Sequence, residues 1–383
     1  MATDVTLRVI GSTGGNGQAS SGSEVPSAVL LGRTVSAVDE TKFADYLAGA
    51  TVAVTGAAGS VGSELCMRLA RLGAAKLVLV DQAEAPLIDL LSMLDHDGFA
   101  HAVPVLADVK SRPRAVAVFE QHRPEIVFHA AAYKQVPLLE ANPVEALATN
   151  VFGTHSVVEA ARHAGVNCFV LFSTDKAVEP TSILGKTKAI AEWIVAAAGR
   201  DVSQARYGAV RLGNVADSAG SMLPLFRRRV ATGEPVPVTH PSATRYMMTV
   251  GEAAGLAVVA GALVDSESIF WLDVGPSVRV LDVVRRLAEA AACDVEIELV
   301  GLRPGERLHE RLVGEDGEIE ATPCDAVFRS PLRAVDHGWL DGWIVALAER
   351  VDHASAHDVR SMLGEMHAER ERGTAAVGTA VFG

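Results

Sequence analysis

The chain of 383 residues has 49% hydrophobic and 21% charged side chains, with 47 acidic against 34 basic groups and a formal net charge of −13. That composition builds a sizeable globular core and excludes a disordered or fibrous chain, while the acidic balance excludes a broad basic face for nucleic acid. Cys66, Cys168, Cys293 and Cys324 form no CxxC pair, no run reaches the ~20 apolar residues of a membrane span, and no signal-peptide pattern opens the chain, so the expectation is a cytoplasmic protein without membrane insertion, metal or nucleic-acid partner.

Residues 1–45 read as an N-terminal arm, partly flexible, because residues 11–23 are rich in Gly and Ser. The run RVIGSTGGNG imitates a nucleotide loop, but the residues after it lack helical apolar spacing, so no helix end is available to hold a phosphate. From residue 51 the pattern becomes regular. TVAVT (51–55), KLVLVD (76–81), HAVPVLAD (101–108), EIVFHA (125–130), CFVLFST (168–174) and YGAVRLGNV (207–215) read as six strands. Helical patterns separate them, notably at 60–73, 143–165 and 182–198. Alternation of this kind predicts an α/β fold, a Rossmann-type doubly wound parallel sheet covered on both faces. The expected NAD-binding domain spans 46–215. Frequent Pro and Gly after 215 suggest a smaller substrate-binding lobe over 216–335. Residues 336–383 are expected to form closing helices and a flexible tail. The apolar run from Ala253 to Val264 reads as a buried helix.

The sharpest local signal is Thr55-Gly56-Ala-Ala-Gly59-Ser60-Val61-Gly62, between a strand and an amphipathic helix. Glycines permit a tight turn and close approach of a pyrophosphate, which then meets the positive end of the helix. Asp81 ends the second strand nineteen residues after Gly62, where a carboxylate accepts hydrogen bonds from an adenosine ribose and repels a 2′-phosphate. NAD is therefore the expected cofactor. The competing reading of Asp81 is a strand-end cap. Asp108, ending the third strand, is assigned to adenine against an ordinary turn role. The fifth strand ends in Ser173-Thr174-Asp175-Lys176, where open parallel sheets place their chemistry; a helix-capping loop is the competing explanation. His129 reads as a satisfied core histidine.

Five ordered segments carry a resemblance: HAAAYKQVPLLEANPVEALATNVFGT (129–154), FSTDKAVEPTSILGKTKAIAE (172–192), VRLGNVADSAGSMLPLF (210–226), VTHPSATRYMMT (238–249) and GLRPGERLHE (301–310). Together, over about residues 30–335, the chain resembles the polysaccharide-biosynthesis dehydratases within the extended short-chain dehydrogenases, whose members include UDP-N-acetylglucosamine 4,6-dehydratases. LLGRTVSAVDE (30–40) is similar to the segment leading into the soluble domain of the long, membrane-anchored members, whose membrane portion this sequence is expected to lack.

The resemblance implies a UDP-sugar substrate and a lyase reaction. C4 is oxidised by NAD, water is eliminated across C5 and C6, and the hydride returns to C6. It further implies Asp175 as acid for the C6 hydroxyl, Lys176 as base for the C5 proton, Thr174 at the C4 hydroxyl and Lys188 at the nicotinamide ribose. Asp175 is then expected to have a raised pKa and Lys176 a lowered one. Ala130 and Ala131 are expected beside the cofactor. Tyr133, Lys134, Asn214, Arg245, Arg303 and Glu306 are expected around the sugar nucleotide, with Asn214 at the diphosphate. The Tyr-x-x-x-Lys pair of the superfamily reads Leu184-Gly-Lys186-Thr-Lys188 here, so the C4 base is unassigned and the C5-retaining long-form subclass is preferred. Gln135 stands where the family commonly has His. The rivals are a nucleotide-sugar 4-epimerase, a 5,6-dehydratase and a non-catalytic NAD sensor. Helices over 143–164 and 182–198 are expected to form a dimer face.

Overall fold

The computed structural model describes residues 6–9, 25–36, 38–201, 205–265, 268–314, 317–332, 335–351 and 353–380. Its centre is one nine-stranded sheet. In chain order the strands are β1 (Thr51–Thr55), β2 (Lys76–Asp81), β3 (Ala102–Leu106), β4 (Ile126–His129), β5 (Cys168–Thr174), β6 (Arg206–Leu212), β7 (Ser268–Leu272), β8 (Glu320–Ala321) and β9 (Val327–Pro331). Their spatial order is β3-β2-β1-β4-β5-β6-β7-β9-β8. Pairing is parallel from β3 to β7, then antiparallel for β9 and β8. The order reverses between β1 and β4, and that switch opens a crevice at the C-terminal edge of the sheet.

The parallel strands follow from their sequences. Val52, Ala53 and Val54 in β1 and Phe169, Val170 and Leu171 in β5 are fully buried, because helices cover both faces of the sheet. One apolar layer holds Val78, Val127, Phe169 and Ile190; the opposite layer holds Val54, Leu65, Phe128 and Leu256. Helix α1 (Ser60–Arg71) follows β1, and helix α2 (Ile183–Asp201) follows β5. The apolar run at 253–264 forms a helix, Val250–Leu263, with Val264 as its C-cap, buried on nearly every side.

The lobe boundary expected at 215 is crossed repeatedly. The Val250–Leu263 helix and β7 to β9 return to the large sheet, so the second lobe is assembled from separated pieces. Its three-stranded sheet joins Thr6–Val9, Val295–Leu299 and Val236–Val238. A third apolar cluster fills it, with Phe226, Val284, Leu287 and Ile297. The β7 segment was not among the strands read from the sequence, because it returns to the large sheet only after the strand–helix alternation has broken off at residue 215.

The expected arm is a clamp over its described part. Leu30 and Leu31 are buried in the second lobe's core. Arg33 forms a fork on Glu252 at 2.7 and 2.8 Å and donates to the Met247 carbonyl. Glu252 also closes a capping box with Thr249 at the start of its helix. Residues 10–24, which hold the glycine run of the imitation loop, lie outside the described residues.

At the other end, the backbone is helical over His337–Val351 and Ala356–Ala380, the latter running into the segment expected as a tail. Val359, Met362, Leu363 and Met366 join the core beside Ile190 and Ile194 of α2. Trp193 packs on Trp339 and His367, and His367 Nε2 bonds the Lys186 carbonyl at 3.1 Å. Helices over 337–351 and 356–380 thus pack on α2, one of the two helices expected to meet a second subunit.

Burial of Glu252 opposes its charge, but the Arg33 fork and backbone N–H groups outweigh that and hold its pKa below the usual carboxylate value. Its side chain is 1% exposed and that of Arg33 13%. Glu252→Ala leaves the guanidinium buried without its counter-charge, and a loss of about 3–5 kcal/mol is expected in urea unfolding.

Candidate active site

A cleft of about 1090 Å³ runs along the C-terminal edge of the sheet between the two lobes. The glycine loop forms one end. Gly56 has φ +68°, and a Cβ there would lie 2.6 Å from the Ala131 nitrogen. A Cβ on Gly62 would lie 2.1 Å from the Gly56 carbonyl oxygen. The loop is therefore folded onto itself and onto the Ala130–Ala131 backbone as only glycine permits. The N-terminus of α1 has no side-chain cap, so its orphan N–H groups face the cleft edge. Gly59, Ser60, Val61 and Ala130 line the cleft.

Asp81 Oδ2 accepts from Ala58 N and Oδ1 from Ala83 N, both at 2.9 Å. The carboxylate thereby fixes the glycine loop to the end of β2, and each oxygen keeps a further lone pair. Capping and ribose binding are compatible in one residue. Asp108 Oδ1 accepts from Lys110 N at 2.9 Å, the turn geometry that competed with its adenine assignment.

His129 is fully buried between Thr55 Oγ1 at 2.6 Å and Thr154 Oγ1 at 3.0 Å. Thr154 gives its one proton to the Asn150 carbonyl, so it accepts from His129 Nε2–H, which leaves Nδ1 to accept from Thr55. Burial, with Lys188 nearby, pushes the imidazole down to about 3. The ring is a neutral structural bridge. Asn150, which the sequence reading left unassigned, accepts from Tyr133 N at 2.9 Å and donates to the Tyr133 carbonyl at 3.1 Å. It sits in a widened helical turn, Leu147–Gly153, and fixes the loop that carries Tyr133 and Lys134 into the cleft.

The end of β5 divides its work. Ser173 turns to structure, donating to Glu192 at 2.6 Å, and Glu192 receives the Arg211 fork at 2.9 and 2.7 Å. Thr174 Oγ1 donates to Asp175 Oδ1 at 2.9 Å. Lys176 Nζ donates to that same oxygen at 2.9 Å and to Asn214 Oδ1 at 3.1 Å, and lies 3.6 Å from Glu310 Oε1. Thr174, Lys176 and Glu310 line the cleft, whereas Asp175 lies behind them, fully buried, with Oδ2 lacking a hydrogen-bond partner.

Burial lowers the Lys176 pKa, but Asp175 and Glu310 raise it further, and the balance stands above the usual lysine value. That corrects the expectation of a lowered pKa: two carboxylates, Asp175 beside it and Glu310 from the other lobe, together outweigh its burial. Lys188, on α2 and facing the cleft, has the lowered pKa instead; burial, against the pull of Glu192, brings it to about 8, and burial lowers Lys134 on the same cleft as well. Leu184, one helical turn earlier, places an apolar side chain on the same wall.

The second lobe supplies the opposite wall. Asn214 Oδ1 accepts from Lys176 Nζ, which occupies the amide oxygen and not the NH2 donors that the expected diphosphate contact would use. Arg245 is buried and lines the cleft, its Nη1 bonded to the carbonyls of Thr244 at 2.8 Å and Leu308 at 3.2 Å. Arg303 and Glu306 line the cleft's outer part, with Glu306 Oε2 accepting from Arg303 N at 3.2 Å. Three hydrogen bonds strap the lobes together beside the glycine loop: Ala219 N to Ser60 Oγ, Lys134 Nζ to Ser218 Oγ and Gln135 Nε2 to the Gly220 carbonyl. Gln135, the departure from the family's common His, is thus part of the strap.

The polysaccharide biosynthesis protein family matches residues 52–331. The capsular polysaccharide biosynthesis protein CapD of Staphylococcus aureus is 40% identical over 313 residues, covering 80% of this chain and 52% of CapD. The chain thus spans about half the length of that relative. A UDP-glucose 4-epimerase of Rickettsia rickettsii is 30% identical, covering 82% of this chain and 94% of the epimerase. A UDP-N-acetylglucosamine 4,6-dehydratase (inverting) of Campylobacter jejuni is 29% identical, covering 69% of this chain and 78% of the dehydratase. Among solved structures, Pen from Bacillus thuringiensis superposes with a TM-score of 0.70 at 27% identity, covering 75% of this chain and 90% of Pen.

Two outcomes follow from this geometry. Gly62→Ala forces the loop off the Gly56 carbonyl, so NAD affinity measured by calorimetric titration is expected to fall more than about tenfold with the fold retained. The His129 pKa is depressed on folding, so its contribution is fully present above about 6.5 and is lost as the pH falls toward about 3. Within that window the unfolded chain holds the extra proton, at a cost of about 1.4 kcal/mol per pH unit, and the slope of urea stability against pH should shrink correspondingly in His129→Asn.

Proposed function

The chain belongs to the polysaccharide biosynthesis family within the extended short-chain dehydrogenases, and from that premise we propose that it is an NAD-dependent UDP-N-acetylhexosamine 4,6-dehydratase acting on UDP-N-acetylglucosamine. The observation that carries this reading is the coupled Thr174–Asp175–Lys176 group at the cleft that begins with the glycine loop: Thr174 and Lys176 line it, and Asp175 is hydrogen-bonded to both from behind. An acid and a base side by side suit elimination, which must protonate a leaving hydroxyl and remove a neighbouring carbon-bound proton. A 4-epimerase needs neither, so the pair favours the dehydratase over the epimerase also found among the relatives.

The residues fit NAD. A cradle that any Cβ would fill, an uncapped helix end and a strand-end carboxylate match a pyrophosphate and a ribose diol. When bound, NAD supplies the hydride acceptor for C4 and the donor back to C6.

The chain's own groups manage position and protons. Lys188 holds the nicotinamide ribose. The Thr174 hydroxyl meets the C4 hydroxyl, and Leu184 keeps that wall dry. Asp175 Oδ gives its proton to the C6 oxygen as water leaves, while Lys176 Nζ takes the C5 proton and later returns it. Arg245 and Arg303 suit the diphosphate, and Glu306 a ribose hydroxyl. Tyr133 and Lys134 border the sugar.

Incubation with UDP-N-acetylglucosamine and NAD is expected to give a product lighter by one water, with NMR signals of a 4-keto, 6-methyl sugar retaining its C5 configuration. Asp175→Asn and Lys176→Met should each lower the rate by about 10²–10⁴-fold. Unchanged mass with inverted C4 identifies an epimerase instead, and an exocyclic alkene a 5,6-dehydratase.

A further inference from the structure

Glu310 has no assigned part in the reaction above, yet its side chain is 3% exposed and its Oε2 has no hydrogen-bond partner. A carboxylate is held in such a place only at a large desolvation cost. The chain fixes it from both lobes. Thr244 N donates to the Leu308 carbonyl at 3.0 Å, and Thr244 Oγ1 bonds His309 Nδ1 at 2.9 Å. Arg307 reaches to the Val178 carbonyl at 2.9 Å and Thr181 Oγ1 at 3.1 Å. Directly after these fastenings, Glu310 is delivered to Lys176 as its second carboxylate beside Asp175. An ammonium has three N–H donors, and this one is surrounded by three acceptors on three segments: Asp175, Asn214 and Glu310.

We infer that Glu310 is the positioning residue of Lys176: it aims the amine into the cleft and stabilises the ammonium that forms when Nζ takes a proton from the substrate. The inference rests on the dehydratase reading for the reaction it serves. In that reaction the C5–H bond breaks, its electron pair becomes the C5–C6 double bond, and the C6–O bond breaks as Asp175 supplies the proton that completes water. Lys176 passes from amine to ammonium, and no further proton donor or acceptor is needed. The resting structure, with the ammonium between two carboxylates, matches the charge state after that transfer. The charged groups acting on Lys176 are Asp175 and Glu310, which favour the ammonium, and Arg245, which opposes it. Glu310 therefore makes Lys176 a stronger base, and one directed at the sugar.

The test uses the full chain with NAD and compares wild type, Glu310→Gln and Glu310→Asp. The Lys176 titration is read from its side-chain ¹³C resonance in ¹³C-lysine-labelled protein, assigned through Lys176→Met. In Glu310→Gln the Lys176 titration and the rising limb of the rate–pH profile are expected to move to lower pH. Dehydration and C5 deuterium incorporation should fall on the order of 10²-fold in kcat rather than KM. C4 oxidation, followed by the near-ultraviolet absorbance of reduced nicotinamide, should persist. Glu310→Asp should restore part of each effect. An unmoved Lys176 titration in Glu310→Gln overturns the inference whatever the substrate. If wild type leaves UDP-N-acetylglucosamine undehydrated, the proposed function fails, and the titration still decides the role of Glu310.

Discussion

A half-buried ammonium on the cleft wall organises the centre of this molecule. Lys176 is reached by Asp175 from its own turn, by Asn214 from just beyond β6 and by Glu310 from the second lobe. The carboxylates that face it are almost wholly withdrawn from water and must be compensated, and compensation here joins segments far apart in the chain. The position of the strand ends and the seating of the second lobe are therefore parts of one electrostatic requirement. The same requirement makes Lys176 more basic than an ordinary lysine, whereas Lys188, with Glu192 alone against its burial, becomes less so. Two lysines on one cleft are tuned in opposite directions by how many carboxylates each meets.

The lobes are held around this centre by clamps of different kinds. The Arg33–Glu252 fork joins the N-terminal segment to the helix packed beneath the sheet, and the same Glu252 caps that helix. Bonds from Ser60, Lys134 and Gln135 to residues 218–220 strap the second lobe across the glycine loop. The apolar sheet sets the floor of the cleft, while these polar ties set its width.

Much of this was legible in the sequence because it depends on local chemistry. The strands at 51–55, 76–81 and 168–174 agree with their apolar runs, since a strand buried on both faces needs nothing more than continuous apolar residues. The glycine loop was legible because each glycine answers a steric demand made within a few residues. The reading of His129 as a core histidine agrees with its two threonine partners. Asn150 and Glu310 lie within the segments 129–154 and 301–310 that carry the family resemblance, yet asparagine and glutamate are ordinary on a surface, and nothing nearby in sequence marks them as buried. The second lobe's outline was misread because β7, β8 and β9 return to the first sheet after long excursions.

The sequence by itself determined the alternating α/β pattern, the dinucleotide loop, the acid–base neighbours at the end of β5 and the family to which they belong, because each is written in contiguous residues. Tertiary structure alone decided what those groups become. It set Asp175 behind Lys176 and brought Glu310 across 134 residues to the same ammonium (310 − 176 = 134). It also turned the N-terminal arm into a clamp and laid the C-terminal helices over α2. Burial and the Coulomb field are properties of position in space, so the direction of a pKa shift is fixed only when the fold closes.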